Sequence, residues 1–354
     1  FARRSWNCSP ESGVQARETL AAYRADSLGC PEYSSRLSTP PSPDEPLTTS
    51  PIEPTTEAHD AASHLEPVAI PPEPIHWQGA IPFFLMHLGV FAIAWVGWSP
   101  VAVWTCVALY VLRMFAITGF YHRYFSHRTF TSGRFFQFIM GLTGTMAIQR
   151  GPLWWAAHHR YHHRHSDEHG DAHSPGQHGF WWAHMGWFLT RTGTPTRDRL
   201  VRDWMRYPEL VFIDRFDLVG PALLALAVLG GGAWLEHAHP ELHTTMAQMF
   251  VWGFIVSTVV LYHATYTINS LSHVYGSQRF DTGDDSRNNW FLAILTLGEG
   301  WHNNHHHYPA SARQGFYWWE VDLTYYGLKL LAAMRIISRL KPVPAKVLER
   351  DRIG

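Results

Sequence analysis

Four stretches of almost unbroken apolar residues organise the chain, at about 80–98, 101–120, 218–235 and 247–268. Each runs for roughly 18–22 residues, and at about 1.5 Å of rise per residue that length covers a hydrocarbon core of about 30 Å. Each therefore predicts a membrane-spanning helix. Only Gly97-Trp98-Ser99-Pro100 separates the first two, which predicts a tight helical hairpin. Pro221 suits the opening turn of the third, whereas Gly230-Gly231-Gly232 weakens its far end. Shorter runs at 135–148, 180–189 and 290–297 predict buried or interfacial helices, since they are too short to span.

Polar patterning sets the limits of the folded part. Residues 1–75 hold about half of the 23 prolines and show no apolar periodicity. The stretch from Ser38 to Pro74, rich in Pro, Ser, Thr and Glu, predicts a disordered tail. The folded domain is then 76–345, with a short C-terminal tail at 346–354. Arg3, Arg4, Arg17 and Arg24 suggest a transit peptide, but Glu11, Glu18 and Asp26 argue against one. Without an initiator methionine the true start of the chain is left open. Arginines crowd 121–217, from Arg123 to Arg215, and the tail after 268 is basic again. The connections near 97–100 and 236–246 contain neither Lys nor Arg. The positive-inside rule then places 121–217, 269–354 and both termini on the cytoplasmic side. In a bacterium the membrane would be the plasma membrane.

A net charge of −1 and the lack of a basic arm give no reason to expect nucleic acid. Cys8, Cys30 and Cys106 form no CxxC pair, so neither a disulfide framework nor a thiolate metal site is available. The 24 histidines carry the chemistry. His122 and His127 flank Arg-Tyr-Phe-Ser; His159, His162 and His163 stand at i, i+3 and i+4; His302, His305 and His306 repeat that spacing. On a helix each triplet shares a face. His122 and His127 fall about 140° apart on an ideal α-helix, so either one lies at a helix end or the two serve different ions. All three clusters fall on one side of the membrane. His158, His165, His169, His173, His178 and His184 are surplus and read as supporting or surface groups.

Without thiolates, zinc-ribbon and iron–sulfur sites drop out, and there is no HExxH. The bundle-type di-iron carboxylate site needs two ExxH units. Glu299-Gly-Trp-His302 is one, and the other, Glu73-Pro-Ile-His76, falls at the predicted tail. An imidazole-only site for two ions suits iron or copper, and a redox role favours iron.

At these residues the chain resembles the membrane fatty acid desaturases, in particular the stearoyl-CoA desaturase type, from about residue 76 to 340. The resemblance rests on His122–His127, on His159-Arg-Tyr-His162-His163-Arg-His-Ser-Asp167 and on Gly298-Glu-Gly-Trp-His302-Asn-Asn-His305-His306. Asn269-Ser-Leu-Ser-His273 completes it. Gly151-Pro-Leu-Trp-Trp155 and Ser311-Ala-Arg-Gln-Gly315 resemble bacterial members. The resemblance implies an all-α integral membrane fold, four transmembrane helices under a cytoplasmic helical cap. It implies two iron ions, cycling between Fe2+ and Fe3+, held by His122, His127, His159, His162, His163, His273, His302, His305 and His306. Asn269 would reach a metal through water. The implied reaction uses O2 to place a cis double bond in a saturated acyl chain bent past the irons in a closed tunnel, most simply a Δ9 acyl-CoA. An acyl-lipid substrate, or hydroxylation of a lipid or alkane, is the alternative.

Ala157 and His158 stand where the acyl-CoA enzymes carry an Arg-Asp pair, which weakens the CoA assignment. Trp154-Trp155, Trp181-Trp182 and Trp318-Trp319 read as membrane-interface anchors ahead of tunnel walls. No haem, flavin or iron–sulfur signature is present, so electrons are expected from a separate ferredoxin, rubredoxin or cytochrome b5 with its reductase. A metal transporter would need polar groups inside the spans, and these hold little beyond His87, Arg113 and His263.

Overall fold

The computed structural model describes residues 73–353, and the predicted tail at 1–75 lies almost wholly outside them. Among the described residues, four helices are long and apolar enough to cross a membrane: α1 (Trp77–Val96), α2 (Pro100–Ser126), α6 (Val219–Ala238) and α7 (Met246–His273). Between α2 and α6 lie α3 (Arg134–Thr145), α4 (Pro152–His165) and α5 (Pro208–Arg215). After α7 come α8 (Trp290–Leu295), α9 (His302–His307) and α10 (Leu323–Ala333). Among the described residues, extended structure is confined to isolated bridges and one antiparallel pair, in which Thr131 faces Ser338 and Ser132 faces Ile337. The chain is a mostly helical bundle with a helical cap.

Local chemistry sets the boundaries. Gly97 turns the hairpin at φ 69°, a conformation that costs other residues a Cβ clash. Ser99 then caps α2, its Oγ accepting from the Ala102 amide at 3.2 Å, with Pro100 in the first turn. A reciprocal Thr245–Gln248 capping box starts α7. The three glycines near the end of α6 do not break it. Gly232 packs so close to α7 that a Cβ there would lie 2.9 Å from the Met246 Cα.

The outer faces are apolar. In α1, Leu85, Leu88, Phe91 and Trp95 are each at least 60% exposed, which suits lipid rather than water. The second span differs from its expected end at residue 120. From Ala116 to Ser126 the helix continues in π form, carrying His122 and Arg123 as buried residues. These polar side chains end the apolar run in the sequence, but ion pairs and the histidine cluster satisfy them, so the helix does not stop. The principal core gathers around this segment, with Tyr121, Phe125, Met140, Leu210 and Leu328 nearly or wholly buried.

The few polar groups in the spans are also satisfied. Arg113 donates to Thr258 Oγ1 at 2.7 Å and to Ser257 Oγ at 2.5 Å. His87 Nε2 and His263 Nε2 are 3.1 Å apart, and His263 Nδ1 lies 3.0 Å from His184 Nε2. That chain passes through both nitrogens of His263, so it is a hydrogen-bonded row and not a point of convergence.

Candidate metal centre

The local geometry of α2 brings the first histidine pair together. A π-helix has about 4.4 residues per turn, so residues five apart nearly eclipse, whereas in an α-helix they diverge. The His127 amide bonds the His122 carbonyl at 3.2 Å, the i→i−5 closure of that form. His127 does lie at the helix end, and both histidines join the same group.

The second triplet is held by the start of α4. Asp214 Oδ1 accepts from the Leu153 and Trp154 amides, each at 2.8 Å, capping α4 from α5. Gly151 admits it: a Cβ would sit 2.4 Å from the Asp214 Cα. The third triplet is held by the asparagines between its histidines. Asn303 Oδ1 accepts from the amides of Arg279 and Phe280, and Asn304 donates to Glu320 Oε2 at 2.9 Å and to the Gln314 carbonyl at 3.0 Å.

The result is two convergent sets of ring nitrogens. His122, His127, His159, His163 and His305 form one, and His162, His273, His302 and His306 the other. In the first, Nε2 to Nε2 distances are 3.0 Å for His122–His305, 2.8 Å for His305–His163, 3.0 Å for His163–His159 and 2.8 Å for His159–His127. In the second, His273 and His302 are 3.0 Å apart. Hydrogen bonds do not explain this, because one proton per Nε2 leaves no spare acceptor for each neighbour. A shared cation does. A metal–imidazole bond of about 2.0–2.1 Å places adjacent ligands at right angles about 2.8–3.0 Å apart. The donor set and its spacing fit first-row transition ions.

Carboxylates fix which nitrogen faces inward. Asp171 lies 2.9 Å from His162 Nδ1, Asp167 2.7 Å from His273 Nδ1 and Asp284 2.6 Å from His306 Nδ1. Glu299 pairs with His122 Nδ1. A carboxylate only accepts, so each Nδ1 carries the proton and each Nε2 presents its lone pair. Burial holds His127, His159, His163, His302 and His305 well below the usual imidazole range, so they are neutral and ready to bind at neutral pH.

The pairing of these carboxylates with the histidines escaped the sequence reading, which named Glu299 only as half of an ExxH unit and Asp167 only as the end of the second motif, and did not name Asp171. Asp284, in a loop, gives no signal. Glu73 and His76 join neither set of nitrogens. Among the surplus histidines, His173 approaches Asp171 and His162, but His162 Nδ1 is already engaged there. His307 stacks on Phe280 with centroids 4.0 Å apart and reaches the Val347 carbonyl at 2.8 Å, which takes it out of the centre.

Two cavities meet at the centre. The larger, about 370 Å³, runs from His76 and Pro82 past Phe83, Met86 and Tyr266. The smaller, about 40 Å³, lies between Met114, Ile117, Thr118 and Thr296. Both touch Trp155, His159, Thr265 and Asn269, where Gln149 Nε2 donates to Thr265 Oγ1 at 3.1 Å. Trp154 and Trp155 line the larger cavity, which corrects their assignment as interface anchors. Trp181 and Trp318 are exposed, as anchors would be. Asn269 is thus on the wall beside both groups of histidines.

Comparison with known proteins identifies the family to which this passage and its convergent imidazoles belong. The sequence profile of the fatty acid desaturases matches residues 97–336. The chain belongs to that family. An sn-1 stearoyl-lipid 9-desaturase from Anabaena variabilis is 35% identical over 270 residues, 75% of this chain and 94% of the relative. An acyl-CoA 5-desaturase from Anemone leveillei is 38% identical over 262 residues, 72% and 75% of the two chains. An sn-2 palmitoyl-lipid 9-desaturase from a Nostoc strain is 32% identical over 280 residues, 76% and 92%. The chain is therefore a fatty acid desaturase, an oxidoreductase of lipid metabolism and a multi-pass membrane protein that places double bonds in fatty acyl chains.

Proposed function

We propose that this desaturase uses two irons and O2 to place a cis double bond at the Δ9 position of a saturated acyl chain carried as acyl-CoA. The observation that carries the metal part is the convergence of nine Nε2-bearing imidazoles into two sets at the junction of the cavities. His122, His127, His159, His163 and His305 hold one iron. His162, His273, His302 and His306 hold the other, and Asn269, on the wall beside both sets, reaches a metal through water. The Δ9 position is supported by the stearoyl-lipid and palmitoyl-lipid 9-desaturases among the relatives.

The bound irons supply the oxidising power that an unactivated C–H bond demands. The balance is RCH2–CH2R′ + O2 + 2 e⁻ + 2 H⁺ → RCH=CHR′ + 2 H2O. The protein positions two methylenes at Trp155, Thr265 and Asn269, a proximity effect rather than acid–base catalysis. The apolar walls keep water from the oxidising centre. Electrons come from a separate ferredoxin, rubredoxin or cytochrome b5. The arginine-rich side, and with it the centre and both termini, faces the cytoplasm.

Arg150, at the wall of the larger cavity and 44% exposed in its side chain, suits a CoA phosphate. One observation favours an acyl-lipid substrate instead. Ala157 is fully buried, and His158 is spent on the Pro195 carbonyl at 3.1 Å, so neither greets a charged head group. The deciding experiment supplies membranes holding this chain with labelled stearoyl-CoA or stearoyl-phosphatidylcholine, O2 and reduced ferredoxin. The double bond is then located by derivatisation and mass spectrometry. Conversion of the thioester before any lipid label appears supports acyl-CoA. Conversion only in phospholipid transfers the assignment to acyl-lipid. A double bond elsewhere removes Δ9.

A further inference from the structure

The histidines around the two ion positions are not backed alike. In the four-histidine group, His162, His273 and His306 each place Nδ1 within 2.6–2.9 Å of a carboxylate, Asp171, Asp167 and Asp284. In the five-histidine group only His122 has such a partner, Glu299. The charge on Glu299 is already shared, because Arg123 Nη2 lies 3.1 Å from it and 2.9 Å from Asp322. Asp167, Asp171 and Asp284 are supported differently. Asp167 accepts from Ser174 and the Asp285 amide, Asp171 from the Asp167 amide, and Asp284 from Thr282 and the Ser286 amide. Among the described residues no Lys or Arg nitrogen comes within 4.0 Å of these three.

We propose that the two positions are chemically unequal, with Asp167, Asp171 and Asp284 as positioning residues that make the four-histidine site the tighter one and the one that favours Fe3+. An imidazole hydrogen-bonded to a carboxylate is a stronger donor, and its orientation is fixed before the metal arrives. Three such ligands, with their anions uncompensated by nearby cations, favour the more highly charged ion. The five-histidine site, with nearly all its imidazoles unassisted and a neutralising arginine beside Glu299, favours Fe2+. The centre therefore fills and oxidises in a set order, the four-histidine site leading. The inference rests on the two-iron reading above.

The test uses the full chain in detergent, loaded with 57Fe, with iron counted per chain and frozen-solution Mössbauer spectra recorded during stepwise reduction. Two quadrupole doublets of equal area that reduce in separate steps are expected. Asp167→Asn, Asp171→Asn and Asp284→Asn should each move the same doublet, the later to reduce. Each should also let a chelator remove that iron about 10–100-fold more readily. Glu299→Gln should move the other doublet. Three aspartates on separate segments let the assignment survive the misfolding of any one variant. Aspartate variants that disturb both doublets equally, or wild-type irons that reduce together, overturn the proposal. Fewer than two irons per wild-type chain instead overturns the two-iron reading itself.

Discussion

The run His305-His306-His307 shows how much the surroundings of an imidazole decide. His305 Nε2 stands 3.0 Å from His122 and 2.8 Å from His163, at the centre of the larger group. His307, two residues on, stacks on Phe280 and is tied to Val347. His305→Ala should therefore abolish turnover and lower bound iron while leaving membrane insertion intact, read by iron analysis of the purified chain. His307→Ala should retain iron and instead lose stability by roughly 1–3 kcal/mol, the cost of an orphaned buried carbonyl and a lost stack, read by thermal unfolding. The histidines were legible because imidazoles at i, i+3 and i+4 announce a shared face without any knowledge of the fold. Their carboxylate partners were not. Asp284 is 22 residues from His306, and Asp167 is 106 from His273, so only the folded chain brings them together.

Among the elements, the four apolar helices were legible because hydrophobic length is a local property, and so was the turn between the first two. The π-form of Ala116–Ser126 was not, since a reading based on 3.6 residues per turn separates His122 from His127 instead of aligning them. The support of α4 was equally hidden. Its cap comes from Asp214, 61 residues beyond Leu153. Asp214→Ala should free the Leu153 and Trp154 amides and cost about 0.5–2 kcal/mol. Since α4 carries His159, His162 and His163, the same change should also weaken metal retention. Asp214→Asn, which keeps an acceptor, should recover most of both. Urea unfolding and iron content, measured on the same preparations, check the coupling. Equal loss in the Ala and Asn variants would show that the charge matters more than the cap.

Over the whole molecule, the centre sits where the spans meet the cap, and the two cavities share Trp155, Thr265 and Asn269 in their walls, so an acyl chain lying in both would pass these residues. The direction of threading follows from the sizes and the chemistry of the walls. The larger cavity has Arg150, His76 and Asp217 among its lining residues, suited to a polar head group. The smaller has Met114 and Ile117 from the second span, suited to a methyl end. On that account Ile117→Phe should shorten the space beyond the reacting carbons and reject the longest chains first. Each buried methylene is worth about 0.8 kcal/mol. Denying space to two of them should change the preference for C16 over C18 chains by about 15-fold, with the distance from the head group to the new double bond unchanged. Fatty acid profiles of cells expressing the two forms measure both quantities. A shift of the double bond with no change in chain length would mean that the smaller cavity faces the head group, and the threading would have to be reversed.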